Sequence, residues 1–157
     1  MARSMTVKQQ AASATKGEQE IRGLVEAWSQ ALEAKDITGL TANYAPDAVL
    51  FDIKPPFRVR GVAAIHQVWE EYLPCLPAKF ESERREFHMT AGEDAAFVHC
   101  LHHVRPLGET SRGPDTWIRV TVCYRKIGGK WQVVHEHVSL PFEPRTGQVS
   151  FITDPEG

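Results

Sequence analysis

Residues 47–72 read DAVLFDIKPPFRVRGVAAIHQVWEEY, and the rest of the chain is arranged around them. The apolar run at 48–53 predicts a short strand, Pro55-Pro56 a turn, and the spacing of Ile65, Val68, Trp69 and Tyr72 a helix. One carboxylate, Asp52, falls inside the apolar run. A carboxylate in that setting must be solvated, paired or kept protonated by its surroundings. The expectation is that Asp52 lies at the bottom of a pocket and works there as an acid or base.

The chain around this stretch is that of one domain. It has 157 residues, 42% of them hydrophobic, which is enough for a sizeable core. Eighteen Lys plus Arg stand against twenty Asp plus Glu, for a net charge of -2, so no basic excess draws the chain to nucleic acid. No apolar run is long enough to span a bilayer and residues 1–17 lack the apolar core of a secretory signal, so a cytoplasmic protein without membrane contact is expected. Cys75, Cys100 and Cys123 are odd in number and widely spaced, and read as reduced core residues.

Three helices are expected first. Residues 1–15 form a polar tail, and Thr15-Lys16-Gly17-Glu18 matches a capping box. Behind it Ile21, Leu24, Val25, Trp28, Ala31 and Leu32 fall on one stripe of a helix. Asp36 caps a short second helix carrying Ile37, Leu40 and Tyr44, ended by Pro46; the third helix is the one in 47–72, stopped by Pro74 and Pro77. Strands follow at 81–90, 95–105, 115–126 and 131–140, with a loop at 106–114 and a tight hairpin at 127–130. In the third of these, Ile118, Val120, Val122 and Tyr124 share the face expected to point inward. The class is α+β, a curved antiparallel sheet covered by three helices, spanning 16–141, with 142–157 as a C-terminal tail that packs on a dimer surface or across the pocket mouth.

WSQALEAKDITGLTANYAPDAVLFDIKPPFRVRGVAAI (28–65) resembles the first half of ketosteroid isomerase, and GKWQVVHEHVS (129–139) is similar to the last strand of the association domain of calmodulin-dependent kinases. Both belong to the nuclear transport factor 2-like superfamily, and the chain looks like one of its SnoaL-like members. The resemblance implies a cone, a bent sheet closed by three helices around a deep pocket. It puts Asp52 where the isomerase keeps its general base, an enzyme that serves as a standard worked pattern of pKa tuning. Trp28 stands where that enzyme has an oxyanion-hole tyrosine, and Val122 near its protonated aspartic acid. An indole N–H donates one hydrogen bond and a valine none. Loss of an oxyanion donor costs roughly 10² to 10³ in rate, which argues against steroid isomerisation by the same arrangement.

The resemblance also implies that Phe97, His99, Leu101 and His103 point inward on the second long strand, and Glu136 and Val138 on the last. The expected acid–base residues are therefore Asp52, His99 and Glu136, with His103 nearby, in a pocket walled by Trp28, Trp69, Leu101, Val120, Val122 and Val134. Asp52 with Glu136 as a carboxylate pair, and His99 with Glu136 as a structural hydrogen bond, stay open as alternatives. The outer face, with Trp117, Arg119, Trp131, His135 and His137, is implied to be a homodimer contact. His135-x-His137 with His102 and His103 has alternate-residue metal spacing but no converging carboxylate, so no metal is expected, and no motif asks for a cofactor. The function expected is cofactor-free proton transfer (isomerase, cyclase or dehydratase) on a compact apolar or aromatic metabolite; a non-catalytic ligand-binding or oligomerisation module is the alternative.

Overall fold

A computed structural model describes residues 14–108 and 113–157; most of the expected tail at 1–15 and part of the loop at 106–114 lie outside the described residues. Helix α1 (Lys16–Glu33) begins at the expected capping box. The Thr15 hydroxyl accepts from the Glu18 N–H at 3.2 Å and the Glu18 carboxylate accepts from the Thr15 N–H at 3.1 Å. Thr15→Ala is expected to lower stability by about 1 kcal/mol in urea denaturation, because it leaves a helix-end N–H without its acceptor.

Short helix α2 (Ile37–Thr41) leads into strand β1 (Tyr44–Phe51), then β2 (Val59–Arg60), helix α3 (Val62–Tyr72), and four long strands: β3 (Phe80–Ala91), β4 (Ala95–Pro106), β5 (Ile118–Ile127) and β6 (Lys130–Ser139). They form one sheet in the order β2-β1-β6-β5-β4-β3. Neighbours pair antiparallel except β1 and β6, which run parallel. Gly128 and Gly129, both with positive φ, make the β5–β6 turn.

Tyr44 and Pro46 were expected at the end of the second helix; instead they open β1. The proline is tolerated because the β1–β6 register shifts between Tyr44 and Val49, leaving that stretch out of the regular ladder. Asp52 correspondingly stands one residue past the strand rather than inside it.

Ile21, Leu32, Leu40 and Ile65 are fully buried, and each such side chain contributes about 1.5–3 kcal/mol of transfer free energy. Two clusters result. One joins α1 and α3 to β1, β4, β5 and β6, and the other packs Leu32, Leu40, Leu73, Leu76 and Phe80 at the far end of α1. Trp131 belongs to the first cluster, and its indole N–H donates to Glu20 of α1 at 2.9 Å. It was expected on the outer face. The register between β5 and β6 shifts at Cys123/Tyr124, which turns Trp131 and Val133 inward while Glu136 and Val138 stay inward beyond the shift. The same irregularity puts Val133, and not the expected Val134, on the cavity wall.

Trp117 is buried, stacked on His103 at 4.9 Å and paired through its backbone with Ile152 of the C-terminal segment. Cys100 is buried as expected and Cys123 partly so; Cys75 is exposed, since it lies in the turn (Leu73–Cys75) that ends α3. No helix among the described residues is long and apolar enough to cross a membrane.

Candidate functional site

The concave face of the sheet, α1 and α3 enclose a cavity of about 150 Å³. A dry apolar cavity of that size accepts one benzene ring. Helix α1 supplies Leu24, Val25, Trp28 and Leu32 to its wall, spaced along one helical face; α3 supplies Val68, Trp69 and Tyr72. The rings of Trp28, Trp69 and Tyr72 meet edge to face at 5.7 and 5.8 Å, giving a continuous aromatic side. From the sheet come Ile118, Val120, Val122 and Tyr124 of β5, the inward set that period two predicts.

Asp52 and Glu136 both line this cavity, in different settings. Asp52 is half-buried between exposed Phe51 and Ile53, so it stands toward the opening and not at the bottom. Its carboxylate accepts from the Ile53 N–H at 2.8 Å. Glu136 is the deep one, 8% exposed, and one of its oxygens accepts a short hydrogen bond from the Tyr44 hydroxyl. Among the described residues its other oxygen has no protein partner, yet it is not a sealed unsatisfied atom, so it opens to the cavity.

Burial pushes the Glu136 carboxyl above the usual carboxylate range; Asp52 pushes the same way, and the Tyr44 hydrogen bond and Arg84 oppose without prevailing. Tyr44 is raised well above the ordinary phenol value, by burial first and then by Glu136. Burial, then Asp52, also raises Tyr72. Tyr44→Phe is expected to cost about 1–3 kcal/mol, because it strips a buried carboxyl oxygen of its donor. It should also raise the Glu136 pKa further, which carboxyl-carbon NMR titration reads directly.

Strand β4 turns the other way from expectation. Its inward residues are Val98, Cys100, His102 and Val104; His99, Leu101 and His103 are not on the cavity. The reason is register: Val98, Cys100 and His102 lie directly opposite Val122, Val120 and Ile118, and cross-strand partners share a face. A slip of one residue reverses every side chain, and both faces of β4 are apolar enough to suit either side. His99 is exposed and stacks on His88 at 5.0 Å, and with Leu101 it borders a shallow hollow on the outer face with Arg119 and His137. His103, on the same outer side, is held between Glu83 at 3.0 Å and Asp115 at 2.5 Å. The hydrogen bond from His103, with one from Arg105 and its charge, holds the Glu83 carboxyl below its ordinary range against a smaller opposing effect of desolvation.

The histidine that does face the cavity is His102, 6% exposed. Burial drives its pKa down to about 3, with Arg84 and His103 adding to the effect, so the ring is neutral. Its Nε2 meets the Ser82 hydroxyl at 2.8 Å, and Trp28 packs edge-on against it at 5.8 Å. Arg84 of β3 completes this end. It donates to the Ser29 hydroxyl and lies over the Trp28 ring at 5.5 Å.

Tyr44, Arg84 and His102 were missed from sequence. His102 was available from the β4–β5 pairing once Ile118 and Val120 were taken as inward. Arg84 was hidden by the β3 bulge at Arg85/His88, where Glu86 has φ 51, so no single alternation runs through the strand.

A mostly apolar chamber with a few convergent polar groups, cut between helices and a bent sheet, has the form that small-molecule sites take, on a nuclear transport factor 2-like fold. The family profile of the SnoaL-like domain matches residues 21–143, and the chain belongs to that family. Among solved structures it is similar to an NTF2-like protein of unknown function from Pseudomonas putida KT2440, at 35% identity over 90% of this chain and 99% of that one, with a TM-score of 0.82. The fold is shared with a candidate dehydratase of the NTF2-like family from Streptomyces avermitilis, at 14% identity over 80% and 96% of the chains and a TM-score of 0.67. A candidate ketosteroid isomerase from Parabacteroides distasonis ATCC 8503 shares it too, at 16% identity over 83% and 91%, with a TM-score of 0.63. No functionally curated protein matches the chain.

Proposed function

We propose that the cavity binds a compact, single-ring metabolite and moves a proton on it without a cofactor, with Asp52 as base and the Glu136 carboxylic acid as hydrogen-bond donor. What carries the reading is the asymmetry of the two carboxyls. Asp52 keeps contact with water near the opening, whereas Glu136 is buried, protonation-biased and has one oxygen free toward the cavity. Environments that separate two carboxyls in this way suit one to accept a proton and the other to donate.

Val122, which the resemblance puts near the position of the isomerase's acid, is paired directly with Glu136 on the adjacent strand. An acidic donor is thus supplied one strand over, and the oxyanion objection raised by the valine is met by a different residue. The step itself is simple. Asp52 takes a proton from the carbon beside a carbonyl, the C–H electrons form the enol double bond, and Glu136 donates a hydrogen bond to the oxygen that gains charge. Return of the proton to the same carbon is exchange, and return to a conjugated carbon is isomerisation. Loss of a β-hydroxyl, protonated by an acid on the way out, is dehydration. That the superfamily holds neighbours described as an isomerase and a dehydratase agrees with both outcomes.

The test uses cyclohex-3-en-1-one in D2O, following C2 deuteration by NMR and the conjugated enone by absorbance. Wild type is expected to accelerate one or both over buffer, and Asp52→Asn to abolish the gain. Acceleration that survives in the Asn variant sinks the assignment.

A further inference from the structure

We propose that Arg84 is an anion anchor, and that the cavity's natural ligand is a cyclic or aromatic carboxylic acid whose carboxylate lies against Arg84. This rests on reading the cavity as the ligand site. Two cations line it, Lys54 and Arg84. Lys54 is within 3.9 Å of Glu71. Arg84, among the described residues, forms no ion pair with a carboxylate; its partners are the Ser29 hydroxyl, the Cys100 thiol and the Trp28 face.

A guanidinium carries five N–H donors in a planar fork matched to a carboxylate, and with Ser29 and the Cys100 thiol engaged, donors remain for a ligand. Stacking on Trp28 fixes the plane of that fork. The surroundings do not compete for the anion. His102 beside it is neutral, and Cys100, pushed up by burial, stays a thiol.

Charge also sets the orientation. Asp52 and Glu136 lie on β1's end and on β6, while Arg84 is on β3, with β5 and β4 between β6 and β3 in the sheet. An acid that enters carboxylate-first toward Asp52 meets a like charge; turned around, it meets Arg84. The ring then lies against the aromatic side made by Trp28 and Trp69. A cavity of about 150 Å³ limits the ligand to a single ring.

The experiment is calorimetric titration of benzoate and cyclohexanecarboxylate, each against its primary amide, on wild type, Arg84→Met and Arg84→Lys. Wild type is expected to prefer each acid over its amide by at least ~10-fold, as charged hydrogen bonds do. Arg84→Met should lose that preference, so that each acid and its amide bind about equally. Arg84→Lys, which keeps the charge without the fork, should retain part of it.

Equal binding of acid and amide by wild type overturns the proposal without reference to any variant. So does an acid preference that persists in Arg84→Met, or no binding of either acid. The outcome is independent of proton transfer. Acid selectivity with no carbon-proton exchange leaves the anchor standing and removes the base, and exchange on neutral ketones with no acid selectivity does the reverse.

Discussion

Asp52→Asn is expected to slow carbon-proton exchange in the cavity by roughly 10² to 10⁴-fold, the range lost with a positioned general base, while the affinity for neutral ligands and the melting temperature stay close to wild type. The fold should tolerate the change. Asp52 is half-buried, and its acceptor role toward the Ile53 N–H is kept by an amide oxygen. What the variant removes is a negative charge that acts on three cavity groups, raising Glu136, Tyr44 and Tyr72. A second readout therefore follows from the same protein: the Glu136 pKa should fall in Asp52→Asn, though burial, its larger cause, keeps it above the ordinary range. If exchange is lost and Glu136 moves down, Asp52 acts in the cavity as proposed. If Glu136 moves and exchange in wild type is no faster than in buffer, Asp52 is an electrostatic neighbour and the base assignment fails.

The second large effect is on stability in acid. His102 has an ordinary pKa of 6.5 and a folded one of about 3, so below pH 6.5 the unfolded chain takes up a proton that the native ring refuses. Stability from this residue is complete above pH 6.5 and is lost as pH falls toward 3. Between pH 7.5 and 4 the loss amounts to about 3 kcal/mol.

Glu136 works in the opposite sense, because its folded pKa is raised. Its contribution is present below its unfolded value and disappears as pH rises through the folded one. The wild-type curve mixes the two, and His102→Gln separates them. Glutamine keeps a polar atom for Ser82 and does not titrate. Urea unfolding of both proteins should show the wild-type advantage at pH 7.5 shrinking by about 3 kcal/mol at pH 4. A constant difference across that range would mean that His102 is protonated in the folded state or reached by water.

Local signals in the chain determined most of the architecture. The Thr15–Glu18 capping box, the stripe from Ile21 to Leu32, the stop of the third helix before Pro74 and the paired glycines at 128 and 129 each act within a few residues, so they can be read without the fold. The inward face of β5 was legible for the same reason, since Ile118, Val120, Val122 and Tyr124 contrast sharply with the polar residues between them. Asp52 and Glu136 were placed in one cavity through resemblance, and the structure puts both there.

What only the tertiary structure decided was the facing of β4, the start of β1 and the position of Arg84. Strand β4 carries apolar side chains on both faces, so its own period is mute and hydrogen-bonded register with β5 chooses His102 over His99. Tyr44 and Pro46 suit a helix end by local preference, but parallel pairing with β6 draws Tyr44 into the sheet and onto Glu136. Bulges in β3 and at the β5–β6 pairing shift alternation by one, and a bulge is specified by strand pairing that no short window of sequence contains. The polar end of the cavity, where Arg84 and His102 meet Trp28, is therefore a product of register.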